Sequence, residues 1–131
     1  QTLASVSFVW MQGERDAKMG WGDLYEEALV GLHAQLGKDL QRNPQKMTFV
    51  IGRLSDFDMS NKKYPHWKKV RLAQIKVANS NPKYFWVDTD DLNDGLNRKG
   101  KQITNDLHYS AEGYKILGKR FAQACLIAIG K

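Results

Sequence analysis

Asp106 and His108 stand two apart in the polar segment TNDLHYS, residues 104–110, just ahead of an amphipathic run. A carboxylate that orients an imidazole at the mouth of an α/β sheet is the base half of a Ser–His–Asp hydrolase. Taken alone, the Asp-x-His spacing is common enough that two plain polar loop residues would account for it. Asn105 is a second candidate to orient the ring, through a hydrogen bond that brings no charge to an imidazolium. Another candidate block, Gln12-Gly13-Glu14, comes straight off an apolar run. Glycine there lets the backbone approach a ligand and turns an N–H toward a developing oxyanion, with the Gln12 amide as a second donor. A polar turn that uses Gly for its backbone angles explains the same letters equally well.

The remaining polar residues are weaker candidates. His33 falls inside a helical pattern and reads as a surface or packing residue. His66 follows Pro65 at a helix start with no acidic neighbour in sequence. Neither belongs to a metal-ligand spacing, so no metal site is expected. Asp88, Asp90 and Asp91 lack the alternating ligands, central Gly and distal Glu of a calcium loop, and are expected to cap the next turn and pair with local Lys or Arg. Trp10 and Trp86 lie in strand patterns and are expected in the core, whereas Trp21 falls in a loop near the candidate site. Cys125 sits in an apolar helical stretch and reads as an inert thiol.

The elements that must position these groups alternate. Ser5 to Met11 and Met47 to Leu54 are apolar runs of strand length, as buried parallel strands require. Tyr84 to Val87 is a third, shorter strand. Leu24, Ala28, Leu29, Leu32 and Leu36 recur at helical spacing after Asp23, a candidate N-cap, and Asn43-Pro44 closes that segment. Trp67, Val70, Ala73, Gln74 and Val77 mark a second helix. Tyr114, Leu117, Phe121, Ala124, Cys125 and Ala128 mark a closing one, with Ser110 as its N-cap. Strand, helix, strand, helix, strand, loop, helix predicts an α/β fold in three layers, α/β/α, around a parallel sheet of flavodoxin-like kind. Three strands are few for that architecture, so the sheet reads as incomplete.

At 131 residues the chain fits one domain. No apolar run approaches the roughly 20 residues of a membrane span, so no membrane partner is expected. A net charge of +6 invites a nucleic-acid reading. The basic residues, however, are scattered from Lys38 to Arg120 over helix faces and loops, which predicts a solvated basic surface and no nucleic-acid partner. The start QTLASVSFVW has no basic leader and no initiator Met, and reads as a processed or cut end.

The two candidate blocks gain weight together. FVWMQGERDA closely resembles the strand and W-x-Q-G-E-x-D/N block of the carbohydrate acetylesterase branch of the SGNH hydrolase superfamily, which includes sialate O-acetylesterases and family-six acetylxylan esterases. NDLHYSAEGYKILGKRFA is similar to the same branch's final block, with its catalytic Asp and His and a trailing G-x-x-x-x-G helix. FVIGRL and VRLAQ also fit the pattern, so the resemblance spans nearly the whole chain.

The resemblance implies an SGNH fold and hydrolysis of acetylated carbohydrates without metal or organic cofactor. It makes His108 the general base, Asp106 its carboxylate partner, Gln12 and Gly13 the oxyanion block and Glu14 a supporting acid. All five are expected to face one pocket on the same rim of the sheet. Many SGNH enzymes carry the acid three residues before the His, where this chain has Asn105. The nucleophile is missing too: Ser5, Ser7, Ser55, Ser60, Ser80 and Ser110 lie in neither a G-Q-S-N-like nor a G-x-S-x-G context. Residues 1–131 are therefore expected to be the C-terminal portion of an esterase domain, inactive alone, whose Ser comes from a missing N-terminal segment. A sheet edge left open by that absence favours a homodimer. The rival is a non-catalytic carbohydrate-binding or scaffold domain of esterase shape.

Overall fold

A computed structural model describes residues 4–130; Gln1-Thr2-Leu3, part of the start read as a cut end, and Lys131 lie outside the described residues. Strands β1 (Ser7–Trp10), β2 (Thr48–Gly52) and β3 (Tyr84–Val87) form one sheet in the order β1-β2-β3, parallel throughout. Every residue of β2 is buried, as befits an apolar run in the middle of a sheet covered on both faces. Alternate side chains of β2 go to opposite layers. Phe49 and Ile51 enter a core with Tyr25 and Leu29 of α2 (Gly22–Asp39) and Trp67, Val70 and Val77 of α3 (Trp67–Ala78). Val50 faces the other way, toward Leu117 of α4 (Ala111–Ile129), with Val87, Leu92 and Tyr109. The chain is an α/β fold, a parallel sheet between helices, as its alternating pattern predicts. β1 lies at an edge, and its Val9 is 41% exposed.

The core strands run shorter than the apolar stretches that announce them, because Met11 and Leu54 belong to the loops that leave the rim. Asp23 is not an N-cap: α2 begins at Gly22 with Trp21 in the capping position. The Gly22 N–H donates instead to His66 Nδ1 at 3.0 Å. Asp23 sits in the first turn, favourable to the helix dipole, and binds Lys69 Nζ at 2.8 Å. Two small elements have no counterpart in the pattern: helix α1 (Glu14–Met19), too short to show a period, and a hairpin of β4 (Gly95–Leu96) with β5 (Gln102–Ile103). Trp86 is no core residue. It stands on edge strand β3, 36% exposed, with the Arg53 guanidinium 4.7 Å from its ring centroid. His33, by contrast, is a core residue, stacked on Phe49 with centroids 4.4 Å apart, and burial pushes its pKa down.

Ser110 caps α4 as expected, its hydroxyl accepting the Gly113 N–H at 3.0 Å. Gly113 is required by close approach, since a Cβ there would collide with the Leu92 carbonyl oxygen. Gly118, one turn on, faces open space. The two glycines of one helix therefore respond oppositely to the same change. Gly113→Ala should destabilise by about 1–3 kcal/mol through forced displacement. Gly118→Ala should stabilise by about 0.5–1 kcal/mol through helix propensity, both read from urea unfolding.

Candidate active site

The rim beyond the strand ends is built on two arginines. Arg53 follows β2, Arg71 lies on the buried face of α3, and both are almost entirely removed from water. Asp90 holds both: its Oδ2 takes Arg53 Nη2 at 2.7 Å, and its Oδ1 takes Arg71 Nη1 at 2.7 Å. Asp88 adds a second carboxylate to Arg53, and Asp91 pairs with Arg120 at 2.7 Å. The acidic run after β3 thus pairs with arginines, as expected, though from distant elements. Burial works against the charged form of Asp90, but Arg71 and Arg53 outweigh it and hold its carboxyl below the usual range.

That anchored turn carries the His108 loop. The Leu92 carbonyl accepts the Ser110 N–H at 2.9 Å, and the Asn93 carbonyl accepts the Asp106 N–H at 3.2 Å. Asn93, itself buried, donates its amide to the Asp106 carbonyl at 3.3 Å. Asn105 adopts φ +46°, a region an Asn tolerates, and its carboxamide oxygen takes the Asp58 N–H at 3.1 Å. The side chain of Asn105 is therefore committed to a neighbouring loop. Asp106 Oδ1 accepts the backbone N–H of His108 at 2.9 Å. Among the described residues no hydrogen bond joins that carboxylate to the imidazole, which is exposed.

The Gln12 block is braced separately. The Gln12 carbonyl accepts the Tyr25 hydroxyl and, at 3.0 Å, the amide of Gln74. Burial pushes the Tyr25 phenol up to about 12, so it stays a donor at neutral pH. The Gln12 side-chain amide donates to Asp16 at 2.8 Å, and the Gly13 N–H donates to Glu14 at 3.0 Å. Gly13 has φ +152°, and a Cβ there would lie 2.7 Å from Val70 Cγ1, so glycine serves both backbone angle and close approach.

The two blocks do not share a cavity. His108 and Asp106 line one of about 580 Å³, while Gln12 lines another of about 190 Å³ with Trp10 and Tyr25. What joins them is Tyr109, whose hydroxyl lies 3.9 Å from Met11 Sδ. Both blocks leave the same sheet rim, one after β1 and the other beyond the turn that follows β3. Of the described serines, Ser110 caps α4, Ser55 is buried with its carbonyl accepting the Trp67 indole N–H, Ser60 and Ser80 donate to Asp58 and to the Val77 carbonyl, and Ser7 lies in β1. Among the described residues no group of three or more His, Cys, Asp or Glu is arranged to hold a metal ion.

A family model described as carbohydrate esterase, sialic acid-specific acetylesterase, matches residues 3–127. The chain belongs to that carbohydrate esterase family. The match takes in both candidate blocks and places the chain among SGNH-type hydrolases. No curated protein and no solved structure gives a significant match.

Tyr25, Gln74, Arg53, Arg71 and Asn93 brace this rim; FVIGRL and VRLAQ contain Arg53, Arg71 and Gln74 without marking that role, and no quoted segment contains Tyr25 or Asn93. Gln74 and Arg71 leave one trace, being polar residues on the apolar stripe of α3. The Asp90 anchor has a measurable pH signature. Its folded pKa is depressed, so its contribution is present above the unfolded value of 3.8 and is lost as pH falls through the folded value. Asp90→Asn should cost about 1–3 kcal/mol at neutral pH, below the about 3–5 of a fully buried pair because Asp90 keeps some water. The variant's stability should also fall less steeply below pH 4 than the parent's, as followed by denaturant titration across pH.

Proposed function

We infer that this protein is a carbohydrate O-acetylesterase in which His108 is the general base. The observation that carries the reading is the family match, which spans the Gln12 block and the Asp106–His108 loop in one alignment. A Ser on a segment upstream of residue 1 attacks the acetyl carbonyl, and His108 accepts its proton. Asp106 orients the ring, using a carboxylate already fixed beside it by the His108 N–H.

The tetrahedral oxyanion takes its donors from Gln12 and Gly13. Both are occupied at rest, by Asp16 and Glu14 respectively, so the developing charge replaces an intramolecular acceptor. Glu14 supports the turn until then. Collapse expels the sugar hydroxyl, protonated by His108, and water attacks the acetyl-enzyme to release acetate. The same upstream segment would extend the sheet along the open edge of β1, and a homodimer through that edge is the alternative way to cover it. No step calls for a metal or organic cofactor.

The second reading is a carbohydrate-binding or scaffold domain of the same shape, favoured by Ser110, whose hydroxyl caps α4, and by Ser55, whose buried hydroxyl accepts the Phe57 N–H at 3.4 Å. Acetate release separates the two. The intact protein should liberate acetate from acetylated sugars or aryl acetates, and His108→Ala should lower turnover by about four orders of magnitude or more. Near-normal turnover in that variant overturns the assignment of His108.

A further inference from the structure

We propose that Tyr25 and Gln74 are positioning residues for catalysis: by clamping the Gln12 carbonyl they fix the direction of the Gly13 N–H, which belongs to the same peptide group. The proposal rests on the esterase reading and names what aims one of its oxyanion donors. A peptide group is planar and trans, so its C=O and N–H point opposite ways and turn only together. Whatever holds the Gln12 oxygen therefore aims the Gly13 hydrogen.

Glycine makes such a clamp necessary. Turning this peptide over would change mainly the torsions beside it, ψ of Gln12 and φ of Gly13. That φ is +152°, and glycine adopts positive and negative values about equally. The backbone at Gly13 has no preference of its own that would keep the N–H in its present direction. At rest the hydrogen points at Glu14 Oε2, with N···O 3.0 Å, so a negatively charged oxygen already stands where it is aimed.

The directions within the clamp are dictated from outside it. The Leu54 N–H can only donate and takes Gln74 Oε1 at 2.9 Å. That turns the Gln74 NH2 toward the Gln12 oxygen at 3.0 Å and the Tyr25 hydroxyl oxygen at 3.2 Å. The Trp10 indole N–H, also a donor only, reaches the same hydroxyl oxygen at 3.1 Å. With two donors on its oxygen, Tyr25 directs its own proton to the Gln12 carbonyl. Both acceptor sites of that carbonyl are then filled. Gln74 is wholly buried and Tyr25 nearly so, which leaves water no place to replace a lost donor. Donors on the carbonyl also polarise the peptide and strengthen its N–H toward a developing charge.

Acetate release by the intact protein, with nitrophenyl acetate as the probe, is read together with the Gly13 amide resonance in proton–nitrogen NMR spectra. Tyr25→Phe and Gln74→Met should each lower kcat about threefold, since one donor remains, and together about a hundredfold or more, the scale of a lost oxyanion donor. KM should stay unchanged, because the N–H acts on charge that develops in the transition state. The Gly13 resonance should move in each single variant and broaden in the double one. Val77→Ala opens a cavity under the same helix away from the clamp, and should lower the unfolding temperature while leaving kcat and the Gly13 resonance unchanged. A double variant with parental kcat, a loss confined to KM, or an equal loss in Val77→Ala overturns the proposal and leaves the esterase reading. Where the double variant does not fold, Tyr25→Phe decides: an unmoved resonance and an unchanged kcat overturn the proposal. A parent that releases no acetate overturns the esterase reading itself, and the catalytic role of the clamp falls with it.

Discussion

A guanidinium buried at the end of a central strand has to find carboxylates, and the geometry of this rim follows from that need. Arg53 and Arg71 approach from the strand and from α3, and Asp90 takes one with each oxygen. Removing either cation from water without a partner would cost several kcal/mol, about the net stability of a small domain. The pairing therefore fixes where the chain goes after β3. Thr89 adds a hydroxyl bond to the Arg53 carbonyl at 2.6 Å, closing the turn. From there Leu92 and Asn93 are set, and through their carbonyls so is the segment that carries Asp106, His108 and Ser110.

The Gln12 block has an independent brace. Tyr25 and Gln74 both reach its carbonyl, and Gln74 spends its own oxygen on the Leu54 N–H at 2.9 Å. One amide thus ties the segment after β1 to the segment after β2. The two halves of the candidate site meet at the Tyr109–Met11 contact. In both halves the backbone is pinned, whereas the groups proposed to react differ: the His108 ring is exposed and the Gln12 amide is held by Asp16. Rigid support with adjustable termini is what an active site needs if its donors are to be occupied at rest and released to a developing charge.

The layers were legible because their signals are periodic and redundant. Alternation of apolar runs and helical stripes places β1, β2, β3, α2, α3 and α4, and β3 ends where its letters change. Short elements carry no such redundancy. Helix α1 has fewer than two turns, and each strand of the hairpin has two residues, so tertiary context alone creates them. Asp23 misled for a related reason: Ser, Asp and Asn favour caps by local bonding, but here His66, distant in sequence, supplies the partner for the first N–H. Trp86 misled because a strand pattern marks burial only when both faces and both edges are covered, and β3 is an edge. The motif letters located His108 and Gln12, but not which atoms they would engage. Asp106 bonds the backbone of His108, a distinction that the one-residue gap between them cannot encode.

The excess positive charge acquires meaning only once its partners are counted. Several cations are consumed internally: Arg53, Arg71 and Arg120 by the acidic turn, Lys69 by Asp23 and Lys76 by Glu26. The cations named here, at the rim and on α3, are therefore committed to holding the fold together and add little to the outward field of the protein. Arg98, Lys99 and Lys101 differ in being crowded into one ordered turn that holds no acid, and among the described residues they make no ion pair.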